Sequence, residues 1–143
     1  MKKASVSKNA WHSISTLRCK HNTMTAESNK AILERGNAAI TAGNCEGFLS
    51  LCTSNTVRTF VGDKTLNGID AVRQWMTTQY VEAPQNTVTH LIAEGDFLTA
   101  MGHLAMKDKD GSMAHYEYCD VWRFQDGKMV ELKAFVVKIE RDV

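Results

Sequence analysis

The sequence predicts a single α+β domain in which three amphipathic helices come first and a curved, mainly antiparallel sheet wraps them. Three observations carry that prediction. The hydrophobic period changes from 3.6 to 2 just after the single proline, Pro84. The later runs of β-branched and aromatic residues are joined at turn signals, Glu94-Gly95-Asp96, Asp110-Gly111 and Asp126-Gly127. A chain of 143 residues suits one hydrophobic core, and no repeat or low-complexity tract suggests a second module.

The elements follow in order. Residues 1–24 are polar and basic and read as an N-terminal extension, a short helix or flexible segment with a narrow stripe of Trp11, Ile14 and Leu17. The domain proper is read as 25–143. Thr25-Ala26-Glu27-Ser28 after Met24 suits a helix N-terminus, with an acid in the first turn. Asn29 to Thr41 puts Ile32, Leu33, Gly36, Ala39 and Ile40 on one face, and Ala42-Gly43-Asn44 ends it as a C-cap. A shorter helix carries Phe48, Leu49 and Leu51. Thr56 to Val61 reads as a strand turned by Gly62-Asp63-Lys64. Gly68 to about Tyr80 gives the third helix, with Ile69, Val72, Trp75 and Met76 inward. Strands are then expected over 87–93, 97–107, 113–124 and 129–139, an antiparallel meander.

Composition removes several function classes. There are 17 basic and 16 acidic side chains for a net charge of +1, so no basic face exists to neutralise phosphates, and nucleic acid is not expected as a partner. No apolar run nears the ~18 residues a membrane span needs. The start, MKKASVSKNAWHSIS, lacks the apolar core of a secretory signal. Cys19, Cys45, Cys52 and Cys119 lack C-x-x-C spacing and read as thiols in a reducing cytoplasm. Too few His, Asp and Glu converge for a metal site.

The run Glu27–Asn44, the strand and turn at 56–68, the helix opening Gly68-Ile69-Asp70-Ala71-Val72, and the ending DVWRFQDGKMVE at 120–131 resemble the SnoaL-like, ketosteroid-isomerase-like branch of the NTF2-like superfamily. The resemblance covers roughly residues 25 to 140. It implies a cone-shaped fold of three helices in a curved sheet, with a pocket. The superfamily hosts isomerases, cyclases, dehydratases and hydrolases as well as non-catalytic binding domains, so fold alone does not choose a reaction.

If Asp110-Gly111 is a two-residue loop, the strands around it pair with residue numbers summing to 221, and Met101 opposes Asp120 while His103 opposes Tyr118. Tyr116, Tyr118, Asp120, Trp122 and Phe124 then share one face. In the resembled isomerases the position matching Asp120 points into the pocket, which makes this set concave and brings His103 with it. Leu132 and Ala134 join from the last strand, and Trp75 matches a position capping the same pocket. His90 joins as well if the turn at Gly95-Asp96 has two central residues, since it then opposes Met101.

Such a site suits proton transfer. Burial raises a carboxyl pKa, a histidine titrates near 6.5, and a tyrosine hydroxyl holds an oxygen. Asp120 and His103 are the candidate catalytic residues. Tyr116, Tyr118, Trp75, Trp122, Met101, His90 and Phe60 are the candidate substrate contacts. The resemblance also exposes two losses. Phe60 stands where the isomerases carry their base and Gly36 where they carry a tyrosine, so ketosteroid isomerisation by the familiar route is not expected. Arg58 and Thr59, beside the lost base, are candidates for substrate contact only.

Two functions follow. The first is a cofactor-free acid–base enzyme of isomerase, cyclase or dehydratase type acting on a small apolar molecule. The second is a non-catalytic ligand-binding or dimerisation domain. His115, Glu117, Arg123 and Lys133, with Val121, Phe135 and Val137, are expected on the convex face, where the resemblance implies a homodimer.

Overall fold

The computed structural model describes residues 9–140, with side chains from Thr25 onward. Three helices, α1 (Asn9–Thr41), α2 (Cys45–Leu49) and α3 (Ile69–Gln79), pack against one six-stranded sheet. The strands are β1 (Cys52–Phe60), β2 (Thr65–Asn67), β3 (Gln85–Glu94), β4 (Phe97–Lys107), β5 (Met113–Gln125) and β6 (Lys128–Ile139). Their order is β2-β1-β6-β5-β4-β3, all pairs antiparallel except β1 with β6. The α+β class and the antiparallel meander β3–β6 are therefore as the sequence predicts.

One expectation is corrected at once. Helix α1 runs through Met24 and Thr25 without a start there, because no Gly or Pro interrupts residues 9–35 and the capping signal is spent inside a continuing helix. The stripe of Trp11, Ile14 and Leu17 lies outside the described side chains. The C-terminus behaves as read. Gly43 takes φ +74, its N–H donates to Ile40 O and the Asn44 N–H to Ala39 O, a Schellman closure. Asn44 then serves α2, its Oδ1 accepting from the Gly47 N–H at 2.9 Å.

The core lies where the helices face the sheet. Leu33, Phe48, Leu49, Val72, Met76, Leu98 and Met129 are all at most 1% exposed. Gly36 explains a lost side chain. A Cβ there would meet the Phe48 ring at 3.0 Å, so Phe48 occupies the space a larger residue at 36 would need. No described helix is long and apolar enough to cross a membrane.

The decisive detail is the β4–β5 hairpin. Its loop is Lys109-Asp110-Gly111, three residues, with Gly111 at φ +87 and Asp108 N–H donating to Ser112 O at 2.7 Å. Asp110 Oδ1 braces it by accepting from the Ser112 N–H and hydroxyl. The additional residue moves the pairing by one. Asp120 opposes Ala100, Tyr118 opposes Gly102, and Tyr116 opposes Leu104. A one-residue slip exchanges the two faces of a strand, so Met101 and His103 belong to the convex side. His90 still opposes Met101, as the two-residue turn requires, and goes to the convex side with it.

Candidate active site

A cavity of about 330 Å³ opens between the concave face of the sheet and the helices. The period-two alternation of β5 delivers Tyr116, Tyr118, Asp120 and Trp122 to it from one face. Phe60 and Arg58 arrive from β1, and Trp75 and Tyr80 from α3 and its cap. Leu132 and Ala134 come from β6, beside Arg58 and Phe60 in the parallel register. The walls are largely aromatic. Phe60 and Trp75 lie 4.8 Å apart between ring centres, and Tyr80 meets Trp75 edge-on at 5.4 Å.

Asp120 is the enclosed carboxyl of the cavity lining, Asp63 being exposed. Its Oδ1 is sealed from solvent and has no hydrogen-bond partner. Burial lifts its pKa from 3.8 to about 7, with the positive charge of Arg58 holding back a larger rise. The carboxyl therefore carries its proton into the neutral range.

Two tyrosines stand close enough to feel its charge. The Tyr118 hydroxyl donates to Asn86 Oδ1 at 2.6 Å, and burial with the nearby Asp120 charge pushes its pKa to about 12. Glycine at position 102 permits this. A Cβ there would stand 2.6 Å from the Tyr118 oxygen and 2.2 Å from Thr87 O, so the ring lies across a bare stretch of β4 to reach β3. Burial likewise raises the pKa of Tyr80, with Arg58 opposing the rise.

Arg58 is the residue that sequence reasoning undervalued. It is 6% exposed, and its guanidinium stands over the rings of Phe48, Trp75 and Trp122 at 5.4, 5.7 and 5.9 Å. The signal was present. Arg58 is two positions before Phe60 on a strand, which fixes both on one face. Tyr80 at a helix end and Asn86 beyond a β3 bulge gave no comparable signal.

Of the expected site residues, the structure brings together Asp120, Tyr116, Tyr118, Trp75, Trp122 and Phe60. Three stand elsewhere, and their placement in the pocket is corrected. His103 Nε2 lies 3.1 Å from His115 Nδ1, and its Nδ1 lies 3.5 Å from Glu117 Oε1, all on the convex face. Met101 opposes Cys119 there, and the exposed His90 contacts Thr89 Oγ1 at 3.2 Å. The cause in each case is the three-residue loop. Among the described residues no group of three or more His, Cys, Asp or Glu side chains is placed to hold a metal ion.

Comparison with known proteins gives a consistent result. Residues 33–132 match the family described as SnoaL-like domain. The fold is similar to that of an NTF2-like protein of unknown function from Cytophaga hutchinsonii, at 15% identity over 79% of this chain and 99% of that one, TM-score 0.65. A putative SnoaL-like polyketide cyclase from Jannaschia sp. CCS1 is similar at 14% identity, with 78% and 86% covered and TM-score 0.69. SalBIII, an epoxide hydrolase/cyclase-like enzyme of pyran ring formation in the polyether salinomycin, reaches 18% identity, with 78% and 92% covered and TM-score 0.72. These likenesses to solved structures concern the fold alone. Among curated proteins no sequence matches.

Proposed function

This chain belongs to the SnoaL-like domain family, and we propose that it is a cofactor-free acid–base enzyme, of isomerase, cyclase or dehydratase type, acting on a small, largely apolar molecule. One observation carries the reading: a carboxyl with a sealed, unpartnered oxygen, holding its proton to about pH 7, on the wall of an aromatic cavity. A group poised near ambient pH exchanges a proton with substrate at least cost in either direction. With His103 on the other face, Asp120 does this work alone, giving its proton to one atom of the substrate and taking one back from another. Tyr118, protonated throughout the neutral range, keeps a hydroxyl oxygen beside the carboxyl as a fixed dipole.

The competing reading is a non-catalytic ligand pocket. It is favoured by Phe60 at the base position, which leaves no second carboxylate beside Asp120 among the cavity-lining residues of β1 and β5. Exchange of an activated C–H separates the two. With 2-tetralone as the probe in D2O, proton NMR is expected to show catalysed loss of the α-hydrogen signal by the native protein and none by Asp120→Asn. Binding of the ketone without faster exchange supports the pocket alone. Faster exchange that survives in Asp120→Asn overturns the assignment to this carboxyl.

The proposal includes a second copy of the chain on the convex face. Ile92, Phe97, Phe135 and Val137 are 59%, 51%, 45% and 66% exposed there, an apolar surface of the kind that marks a protein–protein contact.

A further inference from the structure

We infer that the substrate of this cavity carries an ionised oxygen, a carboxylate or an acidic phenol or enol, on a flat conjugated frame, and that Arg58 is the group that binds it. The inference rests on the reading of the cavity as a small-molecule site and adds the chemical class of the molecule.

The argument begins with the cost of burying a cation. A guanidinium removed from water is retained only where an anion or strong acceptors offset the loss of hydration. Arg58 is removed from water to 6% exposure, yet among the described residues no carboxylate lies within 4.0 Å of it. Asp120 is near enough to feel its charge but does not pair with it, and Asp120 Oδ1 has no partner of its own. That carboxyl also carries its proton into the neutral range, so it offsets the guanidinium only in part.

What holds Arg58 instead is aromatic. Three rings at 5.4–5.9 Å fix the cation where it lines the cavity. Contact with rings engages the charge diffusely, whereas the five N–H donors of a guanidinium lie in its plane, in the fork that matches two oxygens of a planar anion. Tyr80 stands close enough to Arg58 for the positive charge to oppose the rise of its pKa. Arg58 is itself among the residues lining the cavity, which puts its fork within reach of a bound molecule. The same rings that hold the cation offer stacking surfaces to a conjugated frame, and a cavity of about 330 Å³ is in the range that encloses a small ligand.

The arrangement couples binding to the acid. An anion seated on Arg58 removes the charge that restrains the pKa of Asp120 and places a negative group nearby. Both effects keep Asp120 protonated, so the bound substrate meets Asp120 as a proton donor.

Two probes of equal shape test this, 2-naphthoate and 2-naphthamide, titrated calorimetrically into the full chain at pH 6.5. The native protein is expected to bind the carboxylate at least 10-fold more tightly than the amide. The preference should shrink as pH rises to 8.5 and Asp120 ionises, and it should stay constant with pH in Asp120→Asn. Arg58→Gln is expected to bind both probes alike. Because loss of a buried arginine can impair folding, the pH dependence in the native protein and in Asp120→Asn stands as an independent reading. Equal affinity of the native protein for both probes overturns the inference while leaving the small-molecule site intact, as does an Arg58→Gln protein that folds and keeps the preference. Failure of both probes to bind overturns that site and this inference together.

Discussion

Replacing Asp120 by asparagine should make the protein more stable at alkaline pH, and the size of the gain follows from its proton. A carboxyl that holds its proton to about pH 7 in the native state and to 3.8 when unfolded is favoured in the folded chain only while protonated. Between those values the native state binds more protons than the unfolded state, so stability falls as pH rises. At about 1.36 kcal/mol per pH unit the loss is complete just above pH 7, at roughly 4 kcal/mol. Asparagine cannot ionise and escapes the loss, though its amide must still find partners for its own N–H groups. The assay is urea denaturation followed by far-UV circular dichroism at pH 5.5 and 8.5. The native chain should lose about 2 kcal/mol over that interval, the rest of the loss falling below pH 5.5, and Asp120→Asn should lose distinctly less. The two proteins should be nearest in stability at pH 5.5. If both lose the same amount, Asp120 does not titrate in a buried site and the acid–base reading loses its foundation.

Further expectations concern packing, chemistry and assembly. Gly102→Ala puts a methyl group 2.2 Å from Thr87 O and 2.6 Å from the Tyr118 hydroxyl. It should cost about 2–3 kcal/mol and detach Tyr118 from Asn86, seen as a lowered denaturation midpoint; an unchanged midpoint would contradict the close approach. Cys52 is buried, and burial raises its thiol pKa to about 11, so roughly one thiol in a thousand is ionised at pH 8. Iodoacetamide followed by peptide mass spectrometry should label the partly exposed Cys45 and Cys119 well before Cys52, and equal rates would show that Cys52 is accessible. Sedimentation should find a dimer that Val137→Lys paired with Phe135→Glu converts to monomer, and a native monomer at high concentration would refute the convex-face assembly. Tyr118→Phe should lower stability by about 1 kcal/mol, measured by the same denaturation, since Asn86 loses its donor; no change would show that the bond contributes nothing net.

Much of this molecule is local in origin, and what is local was legible. The switch of period after Pro84, the Asp-Gly and Gly-Asp turns and the Gly43-Asn44 cap depend on a few neighbouring residues, and they located α2, α3 and the four-strand meander. The alternation of β5 likewise grouped Tyr116, Tyr118, Asp120 and Trp122 before any register was known, because side chains two apart on a strand always share a face.

Register was not legible. Lys109-Asp110-Gly111 suits a two-residue turn or a three-residue loop, and the choice rests on backbone angles closed by Asp108 and Ser112. The pattern of β4 could not arbitrate, since its concave residues (Leu98, Ala100, Leu104) and its convex ones (Met101, His103, Ala105) are similarly apolar. Nor does a sequence say how deeply Arg58 is enclosed, for that depends on rings from α2, α3 and β5 meeting over β1. The sequence by itself determined which residues form each element and which of them share a face. Tertiary structure decided which faces meet, leaving Asp120 with Arg58 and sending His103 to the far side, because pairing between strands and enclosure by distant rings are settled only when the whole chain closes on itself.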